Sequence, residues 1–401
     1  MSTWEKKLTD RGVNVNTVMK ELRAFEIETP SWGYANTGTR FGKFLQAAAA
    51  TTLEQKVEDA SEVHRLTGIA PRMAVHVLWD FPNGFDPGVA RLAKQHGLEI
   101  GAVNPNLFQD QCYKYGSFAN PDKKIRRRAV KHCLDSAEIA RKAKSRFLSL
   151  WFADGTNYPG QDDIVRRKRC MAEGLAEVHA AMPRSMTMLV EYKPFEPATY
   201  HTDVPDWGAA AMFAHQAGPH ARVLVDTGHH PHGVNIEQII AVLLDEGMLG
   251  GIHFNDRKFA DDDLTAGSIA PYQLFLIFEQ IISARSRGNR PPIAYMIDQS
   301  HNEKPKVEAM VQTVVNIQEL YAKALVVNRA KLRKAQASCD IVGAEETLRS
   351  AFFTDVRELL AALREEMGVP TDPLDALRRS GYEKRRASER KSNVGEGTSY
   401  A

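Results

Sequence analysis

Cysteine is scarce in this 401-residue sequence: Cys112, Cys133, Cys170 and Cys339 lie far apart, with no CxxC spacing. That pattern excludes a zinc knuckle and a disulfide framework and fits a reducing compartment, so a cytoplasmic location is expected. No stretch approaches the roughly eighteen consecutive apolar residues of a membrane span. The N-terminal stretch carries Glu5, Lys6 and Lys7 and has no apolar run of the kind a signal peptide needs. Neither sign of charge dominates. With 52 Lys plus Arg against 50 Asp plus Glu, nothing points to nucleic acid or an acidic membrane surface as a partner, although the last segment is basic. No GxGxxG follows the first strand-like run, which argues against dinucleotide binding. What is present is enough length, with 43% apolar residues, to bury one large core and carry an appendage.

The chain opens with Val15, Val18, Leu22 and Phe25 recurring at intervals of three and four, which predicts a helix across one end of the fold. At Glu28 the pattern changes: Pro30 excludes a helix interior, and Gly33, Asn36 and Gly38 mark a first strand leading into an open loop. Strand two is expected at Pro71 to Pro82 with His76 inside it, strand three at Leu98 to Asn106, and strand four at Arg146 to Gly155. Four further apolar runs end at Glu191, Asp226, His253 and Asp298, again alternating with helical stretches. Eight strands alternating with helices predict a parallel sheet closed into a (β/α)8 barrel of the TIM type. The organisation expected is an N-terminal helical segment over 1–28, a catalytic barrel over 29–324 and a helical C-terminal extension over 325–401. In the extension Leu348, Phe352, Val356, Leu359 and Leu363 form an apolar face that needs a partner, with another subunit the simplest candidate, and the basic end should be mobile.

Polar groups at the carboxyl ends of barrel strands converge on one mouth, where this fold keeps its chemistry. Here MTMLVEYKPFEP, ARVLVDTGHHPHG, GGIHFNDRKFADDD and PPIAYMIDQSHN place Glu191, Asp226, His253 and Asp298 after successive strands. Three carboxylates and an imidazole suit a divalent cation of Mn or Mg type, with zinc or cobalt also accommodated. Beside them stand His229, shortly after Asp226, and Asp261 and Asp263, whose spacing lets both face one way in extended chain. Asp226 can bridge the two groups. Five carboxylates in one mouth repel one another, and two divalent cations reduce their formal charge to about minus one.

Taken singly, an Asp or His after a strand is more often a cap or a satisfied loop residue, and Asp256 and His232 are read that way, with Asp262 facing solvent. Lys193 shares a face with Glu191 and serves as a salt-bridge partner, as a donor to a substrate oxygen, or as both. His76 belongs either to the core or to the mouth, where it would bond sugar hydroxyls or assist ring opening. Trp32 and Trp151 offer aromatic faces to the C–H face of a sugar, whereas Trp79 is assigned to packing.

Together the motifs VEYKPFEP, VDTGHHPHG, HFNDRKFADDD and MIDQS resemble the L-rhamnose isomerases of the broad-specificity bacterial type, within the xylose-isomerase-like barrel superfamily, over nearly the whole chain. The resemblance implies a homotetrameric aldose–ketose isomerase for L-rhamnose and L-rhamnulose, and for D-allose and D-allulose. It implies two divalent cations per subunit, Mn2+ foremost and Zn2+, Co2+ or Mg2+ as alternatives. A structural ion would be held by Glu191, Asp226, His253 and Asp298, and a catalytic ion by His229, Asp261, Asp263 and the shared Asp226. One departure stands out: the ring-opening histidine of xylose isomerases is followed closely by an aspartate, whereas here the run is His76-Val-Leu-Trp-Asp80. The expected reaction is a metal-assisted hydride shift from C2 to C1, or a cis-enediol route with Asp298 acting through water as base. A ketose 3-epimerase on a similar barrel is the alternative; it would use one metal, with Glu in place of Asp298, and Asp261 and Asp263 would be superfluous. A barrel endonuclease would need a basic strip along the mouth that is missing here. A non-catalytic sugar-binding protein would not need two cations.

Overall fold

Eight short apolar runs pair in parallel and close on themselves. In the computed structural model, β1 (Glu28–Pro30), β2 (Arg72–His76), β3 (Glu99–Asn104), β4 (Phe147–Leu150), β5 (Thr187–Glu191), β6 (Ala221–Asp226), β7 (Leu249–Phe254) and β8 (Ala294–Ile297) form a closed barrel, each beside the next, with β8 returning to β1. The structure describes residues 2–390 except 37, 40, 41, 197, 198 and 260, and leaves out the side chains of 38, 39, 42 and 43. Short polar side chains start the outer helices: Thr52, Asp86, Asp122, Asp163, Asp206 and Asn235 each accept from a backbone N–H of the first turn, where the helix itself offers no partner. The helix Pro271–Ser286 has no such residue of its own. Asp256, from the loop after β7, accepts instead from the Ile269 and Ala270 N–H groups at 2.5 and 2.9 Å, which gives it a structural role.

Inside the barrel Ala74, Ala102, Phe147, Leu189, Leu224, Ala294 and Met296 pack together, with Trp32 at the edge; the outward strand faces and the helices make the larger core. Side chains alternate across a strand, so the residue two beyond each inward apolar one also points inward. Leu189 is thus followed by Glu191, Leu224 by Asp226 and Met296 by Asp298: an apolar layer lies beneath a polar one.

Three expectations need correcting. Strand two stops at His76, and Val77–Asp80 form a short helix, because the Asp80 carboxylate turns back to accept from the His76 N–H at 2.8 Å and from Ser31 Oγ and Lys56 Nζ at 2.6 Å each. The C-terminal apolar face docks on its own chain: Val356, Leu359, Leu360 and Leu363 are at most 3% exposed and join the main core, the helix Arg357–Glu366 packing on Val15–Arg23 and Lys306–Leu325. The basic end is also held as far as Arg390, through helices Pro373–Ser380 and Tyr382–Glu389, with Tyr382 and Arg390 buried; residues 391–401 lie outside the described residues. The N-terminal helix runs over Val15–Arg23 and is preceded by a second, Thr3–Asp10, started by reciprocal bonds between Ser2 and Glu5. Among the described residues no helix is long and apolar enough to cross a membrane.

Candidate active site

At the carboxyl ends of β5 to β8, one ligand atom from each of Glu191, Asp226, His253 and Asp298 lies within 4.8 Å of the others. His253 Nδ1 is 3.4 Å from Glu191 Oε1, 3.6 Å from Asp226 Oδ2 and 3.4 Å from Asp298 Oδ2. This buried nitrogen has no hydrogen-bond partner. An unsatisfied ring nitrogen facing three carboxylate oxygens fits a divalent cation, which brings the positive charge such a cluster needs. Without a cation that charge falls on the ring: burial favours neutral imidazole, but Glu191, Asp226 and Asp298 outweigh it and hold the His253 pKa well above its ordinary value. Asp298 is pushed up to about 7 by burial, with His253 opposing and Asp226 and Glu191 adding to the rise.

The ligands are oriented from behind. Asp226, fully buried, accepts from the Gly228 N–H at 2.7 Å and from Asn255 Nδ2 at 3.1 Å, and the same Asn255 nitrogen donates to the Asp298 carbonyl at 3.0 Å. Gly228 permits this approach, since a Cβ there would lie 2.1 Å from Asn255 Oδ1. Trp32 Nε1 donates to Asp298 Oδ1 at 2.9 Å.

The second group stands in the same cavity. His229 Nε2 is 2.9 Å from Asp261 Oδ1, and its Nδ1 is 3.0 Å from the Tyr192 carbonyl and 3.4 Å from Glu191 Oε1. Lys193 pairs with the other Asp261 oxygen and, at 2.9 Å, with Glu196. Asp263 lines the cavity, and burial together with Asp261, Asp298 and Asp226 pushes its carboxyl well above the usual range, with His229 opposing. Asp261 and Asp263 are not in extended chain as their spacing suggested. Both take left-handed backbone, with φ of 57° and 48°, a conformation short polar side chains tolerate best. Asp262 between them helps build this turn, accepting from the Lys258 and Phe259 N–H groups at 2.6 and 2.7 Å. His232, exposed, bonds the Lys258 carbonyl from the other side.

A cavity of about 150 Å³ opens over both groups, walled by Trp32, His76, Phe108 and Trp151 and edged by Asn104, Ser149 and Lys193. Trp32 and His76 lie 4.7 Å apart by ring centroids, Phe108 and Trp151 5.0 Å, and Lys193 Nζ sits 5.3 Å over the Trp151 ring. His76 therefore belongs to the mouth. Burial, with Lys56 and His253 nearby, pushes its pKa down to about 3, so the ring is neutral. From His76, Asp80 accepts at the backbone N–H and not at the ring, whose buried Nδ1 has no hydrogen-bond partner. Trp151 Nε1 and Ser149 Oγ are likewise buried without partners, which leaves polar atoms in the wall for whatever fills the cavity. Trp79 packs on His76 at 4.3 Å, at the outer edge. Asn104, Ser149 and Phe108 were not picked out from sequence. The first two follow inward-facing Ala102 and Phe147 by two positions and were within reach of that rule; Phe108 comes from an irregular loop and carries no pattern.

A closed parallel barrel with a Glu-Asp-His-Asp set, the first three buried and Asp298 half-buried, at the ends of four neighbouring strands defines an α/β-barrel whose mouth could hold a metal ion. The comparisons agree. A family model described as a xylose isomerase-like TIM barrel matches residues 77–276. The chain is 38% identical over 397 residues to a probable sugar isomerase of Rhizobium meliloti (strain 1021), covering 98% of this chain and 92% of that one. It is 37% identical over 397 residues to a probable sugar isomerase of Mesorhizobium japonicum, covering 97% and 92%. A solved xylose isomerase domain protein from Alicyclobacillus acidocaldarius superimposes with a TM-score of 0.52 at 16% identity, over 75% of this chain and 99% of that one. The chain belongs to the xylose isomerase-like TIM barrel family.

Proposed function

We propose that the chain is a metal-dependent aldose–ketose isomerase that interconverts L-rhamnose and L-rhamnulose, with D-allose and D-allulose as a further pair. The observation that carries the reading is the unpartnered His253 Nδ1 among three carboxylates, with His229, Asp261 and Asp263 gathered in the same cavity. That grouping supports a two-ion reading, which a one-ion 3-epimerase would not need. Relatives named probable sugar isomerases support the isomerase class; the choice of L-rhamnose rests on the motif resemblance. Glu191, Asp226, His253 and Asp298 would hold one cation, and His229, Asp261, Asp263 and the shared Asp226 a second, Mn2+ before Zn2+, Co2+ or Mg2+. When bound, such ions supply Lewis-acid polarisation of a sugar carbonyl and offset developing negative charge.

The chain's own residues orient and move protons. Trp32 and Trp151 present aromatic faces to the sugar. Neutral His76 offers its unpartnered Nδ1 to a ring hydroxyl during opening. Lys193, with two of its three donors engaged by Asp261 and Glu196, keeps one for a substrate oxygen. Asp298, fixed at Oδ1 by Trp32, is the base of a cis-enediol route, acting through water; a metal-assisted hydride shift from C2 to C1 is the other route. The assembly is a cytoplasmic homotetramer on this reading. Ile341 and Val342 at the start of the helix Ile341–Phe352, and Phe353 just past its end, are each 70% exposed and offer apolar side chains for a contact between copies. Incubation with L-rhamnose and Mn2+ should yield L-rhamnulose. Appearance of a C3-epimerised ketose without any aldose–ketose exchange would overturn the proposal, as would no product with any of the four ions.

A further inference from the structure

The C-terminal helices end on a buried ion pair that reaches back toward the mouth. Arg390, 3% exposed, donates through Nη1 to Asp59 Oδ2 at 2.8 Å and to the Ala48 carbonyl at 2.6 Å, and through Nη2 to Asp59 Oδ1 at 3.1 Å. The Tyr382 hydroxyl donates to the same carboxylate at 2.7 Å. Asp59 lies on the helix Leu53–Thr67, whereas Ala48 belongs to the segment that joins β1 to that helix. This segment touches both sides of the site. Gln46 Nε2 donates to the carbonyls of His301, Asn302 and Lys304 at 3.3, 2.9 and 2.9 Å, in the loop that follows Asp298. On the other side the Gln46 N–H donates to Asn36 Oδ1 at 3.0 Å and the Ala50 N–H to the Tyr34 carbonyl at 2.9 Å, in the stretch that follows Trp32.

We infer that Arg390 is a positioning residue for the site: by clamping Ala48 against Asp59 it fixes the segment whose Gln46 ties the loop carrying Trp32 to the loop carrying Asp298. The Trp32–Asp298 hydrogen bond is where those two loops meet inside the cavity, so the C-terminal extension acts on the chemistry without touching it. Only a guanidinium suits the place, because a planar fork bonds a carboxylate and a carbonyl at once and an ammonium does not reproduce that geometry.

Hydrogen exchange read by mass spectrometry tests this on the full chain, with and without Mn2+. Arg390→Met leaves the Asp59 carboxylate buried with the Tyr382 hydroxyl but without its counter-charge, so Asp59→Asn with Arg390→Met is made beside it to keep a folded variant in hand. Exchange over 44–50 and 299–305 should quicken by roughly tenfold to a hundredfold, the scale of losing hydrogen bonds from a charged group, while β5 to β7 stay as in the wild type. A folded double variant with wild-type exchange over 299–305 overturns the inference. Only the turnover arm rests on the function proposed above: kcat/KM for the isomerised sugar should fall by a similar factor with Mn2+ affinity kept, and Arg390→Lys should not restore it. Unchanged kcat/KM likewise overturns the inference. If the wild type isomerises no sugar, the isomerase reading fails and the exchange arm alone decides the clamp.

Discussion

Stripping divalent cations should destabilise this protein by an amount that grows with pH. The carboxylates of Glu191, Asp226 and Asp298 bring oxygens within 4.8 Å of one another. Two unit charges at that separation repel by about 3 kcal/mol at an effective dielectric constant of about 20, so three pairs carry roughly 10 kcal/mol before compensation. In the metal-free protein a proton on His253, 3.4 to 3.6 Å from the same oxygens, offsets most of it. A second proton, on His229, does the same beside Asp226 and Asp261. Burial pulls the His229 pKa down, but those two carboxylates outweigh it and raise it from 6.5 to about 10. A raised pKa means that the charged ring stabilises the fold. Its contribution is fully present below about pH 6.5 and is lost as the pH rises through about 10, and it amounts to about 5 kcal/mol at most. With metal bound both rings are neutral ligands, and the protein no longer depends on those protons. The Tm difference between Mn2+-loaded and chelated protein should therefore widen steadily as the pH rises toward about 9. Calorimetry in buffers of different ionisation enthalpy should register protons released on Mn2+ binding. A Tm gap independent of pH, or binding heats independent of the buffer, would refute the reasoning.

Asp263→Asn should remove one ion per subunit and several orders of magnitude of turnover while the fold persists; unchanged metal content and turnover would favour the one-ion epimerase. Trp32→Phe deletes the 2.9 Å bond to the Asp298 carboxylate and should lower kcat/KM by about tenfold to a hundredfold, a loss that steady-state kinetics on a folded variant either shows or denies. Gly228→Ala sets a Cβ 2.1 Å from Asn255 Oδ1 and should cost about 1–3 kcal/mol in thermal or denaturant unfolding, with weaker metal binding because Asn255 orients Asp226. Ile341→Asp with Val342→Asp should break the proposed tetramer in sedimentation, and a wild type already monomeric at micromolar concentration would remove that expectation.

The convergence of the candidate metal-binding residues is legible because its signal is local. Glu191, Asp226, His253 and Asp298 each end an apolar run, and alternation along a strand fixes which way they point. The same rule reaches Asn104 and Ser149, two positions past inward Ala102 and Phe147; they were passed over because neither is a metal ligand. What could not be read depends on surfaces brought together only by the fold. The apolar face from Leu348 to Leu363 was recognised, yet its partner is the chain's own Val15–Arg23 and Lys306–Leu325 helices, far away in sequence. Asp80 was read as a question about a catalytic dyad, and its carboxylate is taken up by Lys56 and Ser31 from two other elements. Backbone conformation was equally hidden: nothing in the ADDD run announces that the aspartates on either side of Asp262 are left-handed.

That last feature bears on how such a site can drift. At 261 and 263, with φ of 57° and 48°, the backbone selects the residue before the donor atom does. Glycine, asparagine and aspartate are admitted, while a longer or branched side chain is penalised by about 1–2 kcal/mol per residue. Glutamate, although it carries the same carboxylate, is disfavoured there, whereas histidine is among the side chains that left-handed backbone tolerates. Of the neighbours that the genetic code and the backbone both allow, glycine and asparagine delete the carboxylate and histidine exchanges it for an imidazole. At 191 and 298, on ordinary strand ends, aspartate and glutamate can replace one another without backbone cost. Change at 261 and 263 is therefore narrower than at 191 and 298: a carboxylate lost there returns only while the left-handed turn survives.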